Sequence, residues 1–98
     1  VANQYEVTYI LRPTLEETEV DDRAAAIAEG LKGNGGEVVG ELEKLGKRRL
    51  AYEISDVREG YYVVMKFGSD AATSKELERQ LRLNEDVLRA LVIRLDNN

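Results

Sequence analysis

Tyr61-Tyr62-Val63-Val64-Met65-Lys66-Phe67 is the strongest strand signal in the sequence. Its β-branched and aromatic residues favour extended backbone, and alternation sorts them onto two unequal faces. Tyr61, Val63, Met65 and Phe67 form a wholly apolar face, while Tyr62, Val64 and Lys66 form a mixed one. Upstream, Ser55–Gly60 reads as a turn, and residues 37–54 read as a long strand. Leu50, Tyr52 and Ile54 alternate there with Ala51 and Glu53, and a bulge or bend is expected near Lys44–Gly46.

Before that strand, Gly33-Asn34-Gly35-Gly36 supplies residues that tolerate positive φ and stop a helix. The helix carries Val20, Ala24, Ile27, Ala28 and Leu31 as one apolar stripe. Thr14-Leu15-Glu16-Glu17 fits a capping box at its start, with Glu16, Glu17 and Glu19 favourable at the positive helix end. A first strand precedes it over residues 5–11, ended by Arg12-Pro13, with Tyr5, Val7, Tyr9 and Leu11 on one face. Downstream, Gly68–Thr73 reads as a loop, and Asp70 or Ser74 is the candidate cap of a short helix that turns Leu77 and Leu81 inward. Asn84 closes that helix, and Val87–Leu95 is the last strand.

The order is βαββαβ. Two helices of this length cannot cover both faces of a four-stranded sheet, so both belong on one face. Right-handed crossovers then give an α+β, ferredoxin-like split βαβ sandwich, with an antiparallel sheet in the order 4-1-3-2. Strand parity predicts that Val7, Tyr9, Leu11, Tyr61, Val63, Met65, Phe67, Ala90 and Val92 meet the helices. Glu6, Thr8, Ile10, Tyr62, Val64, Lys66, Arg89, Leu91 and Ile93 fall on the outer face. Ile10, Tyr62, Val64, Leu91 and Ile93 make an open apolar patch there, which a monomer seldom leaves uncovered.

Ninety-eight residues and 11.0 kDa allow a single domain over 1–98, with an ordered core from about 4 to 95. Surface scaling gives about 5,600 Å² exposed when folded, enough burial for one modest core. The sequence has no Cys and no His, which excludes disulfides, zinc–thiolate and iron–sulfur sites, and removes the commonest general base. No apolar run approaches the ~20 residues of a membrane span. The polar start is unlike a signal peptide, and beginning at Val1 rather than Met suggests processing or a trimmed end. An intracellular, soluble module is expected.

Catalysis is not expected: Ser55, Ser69, Ser74 and the threonines have no histidine to activate them. The carboxylates at Glu16/Glu17/Glu19 and Asp21/Asp22 are explained by the helix dipole and solvation, and Asp21/Asp22 lacks calcium-loop spacing. Asn34-Gly35-Gly36 follows a helix, whose C-terminus repels phosphate, so it reads as a cap rather than a phosphate cradle. No cofactor and no metal are therefore expected.

RNA-recognition motifs share the βαββαβ order, but their third strand needs a basic residue, a glycine and then stacking aromatics. Here Glu59 replaces the basic residue, and Val63 and Lys66 replace aromatics, so base stacking from that strand is rejected. Acylphosphatase chemistry lacks its glycine-rich cradle, and copper chaperoning lacks its cysteines. The net charge of −5 repels nucleic acid from the chain as a whole. One concentration runs the other way, Lys44-Leu45-Gly46-Lys47-Arg48-Arg49. It reads either as a charged edge strand that discourages sheet-to-sheet pairing or as a local phosphate contact.

Gly46-Lys47-Arg48-Arg49-Leu50-Ala51-Tyr52-Glu53-Ile54 resembles the signature of the bacterial-type small-subunit ribosomal protein S-six family. So do Tyr5-Glu6-Val7, Arg12-Pro13 and Arg58-Glu59-Gly60-Tyr61-Tyr62, and the likeness spans about residues 4–95 in order. The resemblance implies a structural ribosomal protein and no enzyme. It implies a heterodimer with ribosomal protein S-eighteen that binds the central domain of small-subunit ribosomal RNA during platform assembly. Lys47, Arg48 and Arg49 match the motif and are the expected RNA contacts, with Arg94 added; any arginine of the run could instead serve the protein partner. Ile10, Tyr62, Val64, Leu91 and Ile93 are the expected protein-partner patch, with the 37–54 edge strand as the rival docking site. The implied location is the bacterial cytoplasmic ribosome, or a plastid or mitochondrial one. A free-standing regulatory or small-molecule-binding domain that self-associates through its outer sheet face is the alternative from a different class.

Overall fold

The computed structural model describes residues 3–54 and 57–95, the side chains of Glu53 and Ile54 excepted. Along the chain run β1 (Asn3–Leu11), α1 (Glu17–Gly33), β2 (Glu37–Ile54), β3 (Val57–Ser69), α2 (Ala71–Leu83) and β4 (Val87–Arg94). The sheet order is β2-β3-β1-β4, with every pairing antiparallel. This is the expected ferredoxin-like sandwich.

Register follows from the apolar alternation. β1 and β3 pair from Asn3↔Ser69 to Leu11↔Tyr61, which sets Tyr5, Val7, Tyr9 and Leu11 beside Phe67, Met65, Val63 and Tyr61. A one-residue slip of β1 would turn its four apolar residues outward, so the register is strongly specified. Val7, Tyr9, Leu11, Val63, Met65 and Phe67 have no accessible surface at all. Each fully buried side chain of this size contributes about 1.5–3 kcal/mol of transfer free energy. Tyr5 and Phe67 stack with ring centroids 5.3 Å apart. From above, Val20, Ala24, Ala28 and Leu31 of α1 and Leu77 and Leu81 of α2 close the core, with Ile27, Ala90 and Val92 packed at its margin. The Tyr9 hydroxyl is buried there without a hydrogen-bond partner, and burial raises its pKa.

Local details depart from the sequence reading. The N-cap of α1 is Glu16 rather than Thr14, and its N–H donates to Glu19 Oε1 at 2.9 Å. Thr14-x-x-Glu17 fits the Ser/Thr-x-x-Glu pattern, but the reciprocal box is made by Glu16 and Glu19. Asp70, not Ser74, caps α2: its carboxylate accepts from the Thr73 N–H at 2.7 Å, and that bond lowers its pKa. Ser74 is buried instead. Gly68 and Ser69 belong to β3 because Asn3 and Gln4 extend β1 beside them. Of the expected Ser55–Gly60 turn, residues 57–60 belong to β3, and Ser55 and Asp56 lie outside the described residues.

Arg12 has a role that spacing alone conceals. Its Nε–H donates to Asp86 Oδ1 at 2.7 Å, while Arg23 Nε–H donates to Asp86 Oδ2 at 2.6 Å. The Arg12 N–H also donates to the Asp86 carbonyl at 2.9 Å. One carboxylate thereby ties the end of β1, the middle of α1 and the α2–β4 turn. The Arg23 hydrogen bond, with Arg12 adding to it, holds the Asp86 carboxyl below the ordinary carboxylate range.

Candidate nucleic-acid interface

β2 is far longer than the strand beside it requires. β1 ends at Leu11, opposite Tyr61, yet β3 extends back to Val57 and β2 continues to Ile54. Residues 48–54 and 57–60 therefore form a two-stranded arm beyond the sheet. Twist accumulates strongly in such ribbons, and the arm folds toward the outer face. Its base is Gly60, where a Cβ would stand 2.5 Å from Ile10 Cγ2 and 2.8 Å from the Leu11 carbonyl oxygen. Only glycine lets the ribbon cross that close.

The arm changes what the outer face presents. Ile10 is buried, against the expectation that it would be open, and Leu50 of the arm is buried as well. Neither belongs to the core beneath the helices, and Ile10 lies against Gly60 at the base of the arm. Leu91 and Ile93 remain about half exposed, at 55% and 48%, and Tyr62 and Val64 are intermediate. The open patch is thus Leu91 and Ile93, flanked by Val64 and Tyr62, with Ile10 sealed under the arm.

A bulge sorts the basic run between the two faces. Glu43 and Lys44 pair with Val64 and Val63, but Gly46 and Lys47 pair with Tyr62 and Tyr61, so Leu45 is the extra residue. Gly46, at φ +84°, takes up the reversal. Parity flips at this point, and Lys44 and Lys47 both face the helix side. Lys44 Nζ meets Asp21 of α1 at 2.9 Å, and Lys47 Nζ lies 5.3 Å from the centre of the Tyr61 ring. Arg48, opposite Gly60, falls on the outer face, and its Nε–H donates to the Leu45 carbonyl at 3.3 Å, closing the bulge. Arg49 returns to the Lys47 side, opposite Glu59.

Lys47, Arg48 and Arg49 are all exposed and adjacent on one arm. Arg94 is not with them. It pairs with Tyr5 on β4, the opposite edge of the sheet and its other end, and its guanidinium donates to Asn3 Oδ1 at 3.0 Å. Sequence reasoning passed over one further pair: Tyr52, 58% exposed, with the Arg89 guanidinium carbon 5.3 Å from its ring centre. The register shifts again between Arg49 and Ile54, so alternation from Arg48 could not have placed Tyr52, whose seat on the outer face is shown by its contact with Arg89. Among the described residues no group of acidic side chains could hold a metal ion, and no helix is long and apolar enough to cross a membrane.

The ribosomal protein S6 family profile matches residues 4–94, nearly the whole chain. The chain belongs to the ribosomal protein S6 family. It is 50% identical to the small ribosomal subunit protein bS6 of Carboxydothermus hydrogenoformans, over 95% of this chain and 96% of that one. To the protein of the same name from Desulforudis audaxviator it is 46% identical, covering 95% and 98%. Its fold superposes on the crystal structure of 30S ribosomal protein S6 from Thermotoga maritima with a TM-score of 0.88 at 27% identity, over 97% of this chain and 89% of that one. Ribosomal protein S6 is a structural constituent of the small subunit, not an enzyme, and the bacterial-type relatives place it on the cytoplasmic ribosome.

Proposed function

We propose that this S6-family chain acts within the small subunit as one half of a heterodimer with ribosomal protein S-eighteen. In this reading the pair binds the central domain of small-subunit ribosomal RNA, with Lys47, Arg48 and Arg49 as phosphate contacts. The observation that carries it is the division of charge and apolar surface. A chain of net −5 carries adjacent, exposed cations on one projecting arm, while Leu91 and Ile93 lie open on the sheet face that the arm borders. Such a surface is poorly made to hold RNA alone, because the global charge opposes phosphate approach. A basic protein seated on Leu91, Ile93, Val64 and Tyr62 would reverse the sign of the combined surface and leave the arm at the seam. Arg94, on the far edge, would meet RNA only through a separate contact.

Gel shifts on a central-domain ribosomal RNA fragment, with and without the partner, test the reading. Tight binding by the heterodimer and weak binding by the lone chain at physiological salt are expected. Equal, tight binding by the lone chain would overturn it. Changing Lys47, Arg48 or Arg49 to Ala should lower the log–log salt slope by up to about 0.9 for each lost phosphate contact. A weakened complex with an unchanged slope would assign that residue to packing or to the protein partner. Tyr62→Asp with Val64→Asp should abolish the heterodimer and leave the monomer folded by circular dichroism. If only changes along the β2 edge do so, the partner docks there instead.

A further inference from the structure

Tyr52 and Arg89 come from the two opposite edges of the sheet, β2 and β4, yet they touch across its outer face. The contact exists because the arm carries Tyr52 back over the end of β1. It is well braced. Arg89 is held in register opposite Ile10, Leu50 is buried two residues before Tyr52, and Gly60 seats the arm against Ile10. Tyr52 nevertheless stays 58% exposed, whereas Tyr5, Tyr9, Tyr61 and Phe67 are buried. An exposed aromatic ring with a guanidinium against it is a surface on which a planar group can stack.

We infer that Tyr52, braced by Arg89, is a stacking platform for one unpaired base of the RNA bound at the arm. The inference rests on the RNA-binding reading above and adds a base contact to its phosphate contacts. Three features favour a nucleotide. Aromatic rings stack on any base, and only an unpaired nucleotide offers a free π-face, since A-form helices keep theirs stacked. Arg48 shares the outer face with Tyr52, and Arg89 lies against the ring, so cations stand where the flanking phosphates would run. Those same arginines would repel a basic protein, which fits the partner's place further along the face at Leu91 and Ile93. The aromatic contact that the third strand lacks, because Tyr61 is buried under Lys47, is thus supplied by the second.

The test uses the heterodimer and the central-domain ribosomal RNA fragment. Tyr52→Ala should weaken RNA binding roughly five- to hundredfold, the range for losing one base–aromatic stack. The salt slope should not change, because no charge is removed. Tyr52→Phe should bind like the unsubstituted protein. The chain has no tryptophan, so Tyr52→Trp adds one reporter whose fluorescence should be quenched when RNA is added. Unchanged affinity for Tyr52→Ala, with the slope still falling for Arg48→Ala, would overturn the platform and leave the phosphate reading standing. Loss of the heterodimer itself in Tyr52→Ala, without RNA, would give the ring to the protein partner and also overturn it. If the unsubstituted heterodimer does not bind the fragment, both readings fall together.

Discussion

The two faces of the sheet obey the same alternation and end in different states. On the helix side, period-two placement was sufficient: Val7, Tyr9, Leu11, Val63, Met65 and Phe67 are all fully buried. On the outer side, residues of one strand parity range from Ile10 at 8% exposed to Leu91 at 55%. The difference is the cover. Two helices seal the first face over β1 and β3, whereas the second is covered only at one end, by an arm of the chain itself. Alternation tells which way a side chain points, and the tertiary cover decides whether water reaches it.

The sharpest way to break this contrast is a matched pair of truncations. Met65→Ala removes a fully buried side chain from the helix side, where large-to-small changes cost about 2–5 kcal/mol. Leu91→Ala, on the outer face, should change the stability of the isolated chain by no more than about 0.5 kcal/mol. Urea denaturation of both variants measures the difference. Comparable losses would mean that the outer face is already covered in the lone chain and would remove its claim to be a docking surface.

The arm can be tested at its base. Gly60→Ala forces a methyl group into Ile10 and the Leu11 carbonyl, neither of which can move without shifting β1. A loss of about 1–3 kcal/mol is expected, together with greater hydrogen exchange in the 48–60 ribbon than in β1. A Gly60→Ala protein as stable as the parent would show that the arm does not lie against the sheet.

Within the sealed face, Tyr9 is discordant. Its hydroxyl is buried unpartnered, and an unpaired polar group in the interior is unfavourable. Tyr9→Phe should therefore leave stability unchanged or raise it by up to about 1 kcal/mol. A loss above 1 kcal/mol would reveal a hydrogen bond to that hydroxyl in solution.

These contrasts mark what was legible from residue order. Strand parity, helix stripes and turn residues are local signals, and they predicted the element order, the sheet order and the helix-side core. What escaped them depends on long sequence separation. Lys44 reads as part of a basic run, but 23 residues back it finds Asp21 and turns to the helix side. Arg12 reads as the end of a strand, and its partner lies 74 residues on. Ile10 reads as open because nothing local announces that Leu50 and Gly60 will bring an arm over it. The bulge was expected near Lys44–Gly46, but its consequence, which divides Lys47 and Arg49 from Arg48, requires the register itself.

The smallest effect expected concerns Asp86, and its sign can be worked out. Hydrogen bonds from Arg23 and Arg12 hold its folded-state pKa below the unfolded value of about 3.9. A depressed carboxylate pKa contributes stability that is fully present above the unfolded value and is lost as pH falls through the folded one. Asp86→Asn keeps an acceptor for one arginine but loses the charge, so it should be modestly less stable than the parent by a constant amount between about pH 5 and pH 8. Both guanidinium partners are more than one-third exposed, so solvent screening keeps that amount small. Below the folded pKa of Asp86 the two proteins should converge, because the parent carboxyl is then neutral as well. Denaturation midpoints measured from pH 7 down to pH 2 give the comparison directly. A gap that persists undiminished in acid would mean that Asp86 ties β1, α1 and the α2–β4 turn through neutral hydrogen bonds and packing rather than through its charge.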